Sequence, residues 1–233
     1  MPHSFTTESV EYIKHGSTGY MAKLYKPSGA GPFPMVIDLH GGAWCNGDLA
    51  DCDSRDQILA ASGIVVAALN FRHAGEGYPT SLQDINFAIR WMKSNAKKWN
   101  GNANAFGLSG TSSGGHLAML SAMRPNDPRY AALPGPSGVD ATVKAVVMQW
   151  PVINPISRYR NALRARDSAN PPAWVGDIPG RHDLYWKTEA NMIEGNPITI
   201  LEKGDKAELV PSLWIQGQPD PVHDYRDPES RLN

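Results

Sequence analysis

Apolar and polar positions fall into blocks along this chain, and the blocks switch between strand-like and helix-like periods. Val10 to His15 and Tyr20 to Lys26 have mixed polarity suited to a sheet edge, which predicts a hairpin around Gly16-Ser17-Thr18-Gly19. Met35 to His40 predicts a buried strand, and Asp53 to Ala61 a helix ending near Gly63. Ile64 to Leu69 is a continuous apolar run of the kind found in parallel sheets. Ser81 to Lys98 carries Leu82, Ile85, Ala88, Ile89 and Met92 on one stripe, an amphipathic helix. A short strand is expected at Asn104 to Leu108, an apolar helix from His116 to Met123, and a Pro/Gly-rich loop from Pro125 to Gly138. Val143 to Trp150 and Val210 to Gln216 complete the predicted strands.

This alternation predicts an α/β fold with a doubly wound, mainly parallel sheet and right-handed crossovers. The alternation stops from Pro151 to about Lys206, where Pro, Arg, Trp and Tyr are dense. Residues 151–206 are expected to form an irregular cap-like insertion over one end of the sheet. Its aromatics include Tyr159, Trp174, Tyr185 and Trp186, with Trp150 just before it. They fit either a pocket lining or the small core that such an insert needs. Arg158, Arg160, Arg164, Arg166 and Arg181 accompany them.

Composition narrows the class. A chain of 233 residues, 41% hydrophobic, can bury one sizeable core, so residues 1–233 read as a single domain. A net charge of −1 gives no electrostatic case for nucleic acid or an anionic membrane as partner. The N-terminal residues lack a secretory signal pattern, and no apolar run is long enough to span a bilayer. Cys45 and Cys52 build neither a metal site nor a disulfide framework, and fit free thiols of a reducing compartment. A cytoplasmic location is the expectation, without metal or cofactor; self-association stays open.

Candidate chemistry centres on Gly110-Thr111-Ser112-Ser113-Gly114, between the short strand and the apolar helix. A serine that attacks a carbonyl must project from a sharp strand-to-helix turn. That turn crowds the residues two before and two after it, and glycine relieves the crowding. Ser109 and Ser113 lack one of the two glycines, so the spacing selects Ser112.

Four motifs then occur in order over roughly residues 34 to 124. They are His40-Gly41-Gly42-Ala43-Trp44; Asn70 to Pro79; the helix with Asp84, Ala88 and Trp91; and Gly110 to Ala118. The chain resembles serine esterases of the α/β-hydrolase fold, in the HGG-type group that includes hormone-sensitive-lipase-like enzymes and carboxylesterases. The resemblance implies an oxyanion hole of N–H groups from Gly42, Ala43 and Ser113, with Gly41 letting the loop turn back. His40 would anchor that loop, and His116 would be a packed helix residue. Gln216-Gly217-Gln218-Pro219-Asp220 resembles the family's segment for the triad acid, which implies Asp220 ahead of Asp224 and Asp227. Gly195-Asn196-Pro197-Ile198 is similar to the segment that leaves the cap.

The family's histidine normally follows the acid by tens of residues. Here His223 follows Asp220 by three, and it is the last histidine of the sequence. Three explanations are ordered: a C-terminally truncated form first, His223 as an unusual substitute second, a non-catalytic relative third. The expected activity is hydrolysis of a small or medium carboxylic ester through an acyl-enzyme on Ser112. The alternatives are an arylformamidase, because kynurenine formamidases share a similar H-G-G-x-W loop, and a pseudo-hydrolase that binds a small ligand.

Overall fold

In the computed structural model, residues 2–217 and 219–223 are described. Seven strands form one sheet: β1 (Phe5–His15), β2 (Thr18–Pro27), β3 (Phe33–Leu39), β4 (Val65–Leu69), β5 (Gly101–Thr111), β6 (Ala145–Gln149) and β7 (Ser212–Ile215). Their spatial order is β1-β2-β4-β3-β5-β6-β7. The first two pairings, β1 with β2 and β2 with β4, are antiparallel, and the remaining four are parallel. The expected hairpin is present, longer than its polarity pattern suggested, because both arms pair along nearly their whole length. All five residues of β4 are buried, as its unbroken apolar run requires of a strand covered on both faces.

Helices α1 (Asp53–Ala61), α2 (Thr80–Asn95) and α3 (Ser113–Met123) connect the strands. The predicted stripe of α2, from Leu82 to Met92, is wholly buried. The helix stops three residues earlier than its pattern, passing into a 3-10 turn that Asn100 ends at φ +54°. The central helix α3 is apolar on all sides because it lies between the sheet and other helices.

Residues 151–206 correct one expectation. The insertion is helical rather than irregular, with α4 (Pro155–Arg166), α5 (Ile178–Trp186), α6 (Glu189–Glu194) and α7 (Pro197–Glu202). Short helices escape a periodicity reading, yet their caps are written in the chain. Asn154 accepts from the Ser157 N–H ahead of Pro155, and Thr188 accepts from the Asn191 N–H. Asn196 accepts from the N–H groups of Ile198 and Thr199 around Pro197. Tyr185 and Trp186 are fully buried in the main core, so for these two the packing reading holds.

Register gathers the chemistry. Leu39 pairs with Gly110, Thr111 with Gln149, and Gln149 with Ile215, so β3, β5, β6 and β7 all end at one edge. His40, Ser112, Trp150 and Gln216 leave the sheet there. From β3 the chain continues to β4 on one side, and from its neighbour β5 it continues to β6 on the other, which opens a crevice at the strand ends between β3 and β5. Among the described residues β7 is an edge strand, and Leu213, Trp214 and Ile215 are exposed.

Candidate active site

The turn from β5 into α3 holds Ser112 at φ +55°, ψ −118°, a conformation unfavourable for any residue but glycine. Sterics explain its glycines. A Cβ on Gly110 would lie 2.3 Å from the Gly114 carbonyl oxygen, and one on Gly114 would lie 2.2 Å from the Leu39 carbonyl oxygen. The Ser112 N–H donates to the Gln149 carbonyl at 2.9 Å, and its own carbonyl accepts from Val152 at 3.2 Å. The strained turn is thus tied to β6 and to the start of the cap.

Asp220 and Ser112 are brought together, with His223 between them. His223 Nε2 lies 2.9 Å from Ser112 Oγ, and His223 Nδ1 lies 2.9 Å from Asp220 Oδ2. The loop closes in three residues because Asp220 Oδ1 also accepts the backbone N–H groups of Val222 and His223, at 3.1 and 3.0 Å. Gln216 Nε2 donates to the His223 carbonyl, bracing the loop from the β7 side. The sequence ordering had put truncation ahead of His223, and the folded loop puts His223 within hydrogen-bond reach of the serine. Burial, then the positive charge of Arg158, pulls His223 below the ordinary histidine value, while Asp220 opposes the shift. The rival acids Asp224 and Asp227 lie outside the described residues.

The loop after β3 sits against the serine. A Cβ on Gly41 would lie 3.3 Å from Ser112 Cβ and 3.2 Å from the Thr111 carbonyl. Gly42 has φ +103°, and Ala43 and Trp44 follow at +51° and +61°. The Gly42 carbonyl accepts the N–H groups of both Cys45 and Asn46 at 3.1 Å, closing the loop. The N–H of Ser113, at the first position of α3, points with the helix N-terminus toward the same crevice. His40 is buried and stacks on Phe71 with ring centroids 4.4 Å apart. Trp44 Nε1 donates to His116 Nδ1 at 3.2 Å, and His116 Nε2 donates to the Gly195 carbonyl at 2.8 Å. Both histidines pack as expected, and His116 additionally joins the loop to the end of the cap.

Two features escaped the sequence reading. Arg55 on α1 contacts Asp38 at 2.6 Å, Thr111 Oγ1 at 2.7 Å and Gln149 Oε1 at 2.7 Å, clamping three strand ends behind the serine. Asp38, a carboxylate inside an apolar strand, was the available signal, because a buried charge demands a partner. The second is His182 on α5, fully buried and packed edge-on to Trp44 at 5.0 Å. Nothing in its local sequence marked it.

A model of the BD-FAE family matches residues 23–228. The chain belongs to the BD-FAE family. Among curated relatives, the probable carboxylic ester hydrolase LipM of Mycobacterium tuberculosis is 30% identical over 158 residues, 66% of this chain and 36% of that protein. Esterase LipC of the same organism is 38% identical over 118 residues, covering 50% and 29%. The versiconal hemiacetal acetate esterase of Dothistroma septosporum is 24% identical over 222 residues, covering 94% and 66%. The chain therefore spans about a third of the length of the two mycobacterial relatives. An inhibited esterase B from Lactobacillus rhamnosis superposes with TM-score 0.71 at 25% identity, over 94% of this chain and 68% of that one. A Pyrobaculum calidifontis esterase gives 0.70 at 22%, over 96% and 69%. The BD-FAE chain has the α/β-hydrolase fold that its motifs implied. Among its described residues, no helix is long and apolar enough to cross a membrane.

Proposed function

We propose that this chain is a serine hydrolase that cleaves small or medium carboxylic esters. The observation carrying the reading is the hydrogen-bonded series Ser112–His223–Asp220 on a strained strand-to-helix turn. Asp220 accepts from Nδ1 and so fixes His223 as the tautomer whose Nε2 is a free base. Nε2 takes the Ser112 proton as Oγ attacks the ester carbonyl, giving a tetrahedral oxyanion. The N–H groups of Gly42, Ala43 and Ser113 are the donors assigned to that oxyanion, with Gly41 giving the loop its close approach. His223 then protonates the departing alkoxide, leaving an acyl group on Ser112. Water repeats the sequence and releases the acid.

The printed names of the relatives, esterases and a carboxylic ester hydrolase, support the reading. Esterase B, the inhibited structural neighbour, supports it too. The test is labelling by a fluorophosphonate together with turnover of p-nitrophenyl butyrate, beside an N-formyl aromatic amine. Label on Ser112, ester turnover, and a fall of about 10⁴–10⁶-fold in kcat for Ser112→Ala and for His223→Ala are expected. Ordinary turnover by His223→Ala would remove His223 as the base. Faster cleavage of the formamide would move the substrate class to amides.

A further inference from the structure

Beside the candidate triad lies a cation that hydrogen-bonds to no anion among the described residues. Arg158 lies one turn into α4, whose start is tied to the serine turn through the Val152 N–H on the Ser112 carbonyl at 3.2 Å. Its Nε and Nη1 are buried and make no hydrogen bond. Burial pulls Arg158 down to about 10, so it remains charged at neutral pH. A buried guanidinium with unused donors is expensive to maintain, and such groups cluster where a ligand completes them.

Among the described residues, the neighbouring acids are occupied. Asp220, whose charge reaches Arg158, uses both carboxylate oxygens on His223 and the backbone of its own loop. Asp177 accepts from Arg181 at 2.7 Å, and Asp183 accepts from the Tyr159 hydroxyl at 2.7 Å. Arg181 adds like charge to Arg158 rather than neutralising it. His182 contributes no anion either. Its Nδ1 donates to the Ile178 carbonyl at 2.8 Å, which leaves Nε2 a bare acceptor, buried and without a partner. The His182 ring stacks on Tyr159, the residue after Arg158, and meets Trp44 of the oxyanion loop edge-on. Arg158 acts by its charge on His223 and is acted on by Asp220, so its unused donors lie beside the candidate triad.

We infer that Arg158 is a specificity residue that binds a carboxylate carried by the ester substrate, on its acyl chain or on its alcohol. The inference rests on the esterase reading, and the experiment separates the two. Matched pairs of full-chain substrates read the charge: p-nitrophenyl hemiglutarate against p-nitrophenyl valerate for the acyl side, and 4-acetoxybenzoate against phenyl acetate for the alcohol side. At least one acid is expected to exceed its neutral partner in kcat/KM by about tenfold or more. Arg158→Met should lower that acid-to-neutral ratio at least tenfold, with the effect mainly in KM. A wild-type ratio at or below one in both pairs, or a ratio unchanged in Arg158→Met, overturns the inference. Should the variant fail to fold, competition in the wild type decides, with glutarate inhibiting valerate hydrolysis and pentane-1,5-diol not doing so. Equal inhibition by acid and diol overturns it. If no ester turns over and Ser112 takes no phosphonate label, the esterase reading fails by itself. Glutarate binding by calorimetry, present or absent, then decides the carboxylate site.

Discussion

At the scale of single residues, the proposed chemistry rests on three side chains and a backbone strain. Ser112 is aimed by a conformation that its glycine neighbours alone permit, and His223 is aimed by Asp220. Because burial and Arg158 hold His223 below the ordinary value of 6.5, its neutral, basic form persists to lower pH. The acid limb of kcat/KM should therefore have its midpoint below 6.5, read from a pH profile on a neutral ester. Asp220→Asn removes a charge that raises His223, so the limb should move lower still. It should also lose the orienting acceptor, with kcat falling by about 10⁴, the size seen in the best-studied triad. A limb above 6.5 in the wild type would show that another group controls the proton.

Among the elements, the starts of α4 and α7 share one buried amide. Asn196 caps α7 through its Oδ1, while its Nδ2 donates to Asn154 Oδ1 at 2.7 Å, the same oxygen that caps α4. One side chain thus locks both helix starts beside the carbonyl of Gly195 that His116 binds. Asn196→Ala should destabilise the protein by about 2 kcal/mol, combining the lost cap on the Ile198 and Thr199 N–H groups with the lost amide bond to Asn154. Urea denaturation at neutral pH measures it, and a change under about 0.5 kcal/mol would show that the caps are carried elsewhere.

For the whole molecule, two buried neutral histidines couple the cap to pH. Burial pulls His116 down to about 4, and burial with the charge of Arg158 pulls His182 down to about 3. The unfolded chain protonates both near 6.5, so below that pH it binds protons that the native state refuses. Their contribution is fully present above 6.5 and is lost progressively as pH falls toward the folded values. Each of these two histidines should contribute a loss of about 2 kcal/mol between pH 7.5 and 5. The depressed carboxylates Asp53 and Asp140, held at about 2, act only below their ordinary 3.8, but Asp56, raised to about 9 by burial and by Asp38, gains stability as pH falls through this window, so the histidine contribution is read as a difference between wild type and variant. Urea unfolding of wild type and His116→Gln at the two pH values tests it: on going to pH 5 the variant's change should be about 2 kcal/mol more favourable than the wild type's, and an equal change would remove His116 from the account.

The sequence by itself determined the order of strands and helices, the stripe of α2, the elbow serine and the glycine loop beside it. These are local facts, because hydrophobic period and glycine sterics act within a few residues. It also placed Asp220, through a motif at the end of a strand. Tertiary structure decided what depends on contacts between distant segments. It turned the insertion into helices, since short segments gain stability from packing and caps rather than from period. It paired Arg55 with three strand ends, and it buried Tyr185 and Trp186 instead of leaving them to line a pocket. It also brought His223 back to Ser112, 111 positions away. A spacing of three between acid and histidine says only that the two are close along the chain. Whether the imidazole reaches the serine depends on how Asp220 folds its own loop across the ends of β5 and β6, and that is a property of the assembled sheet.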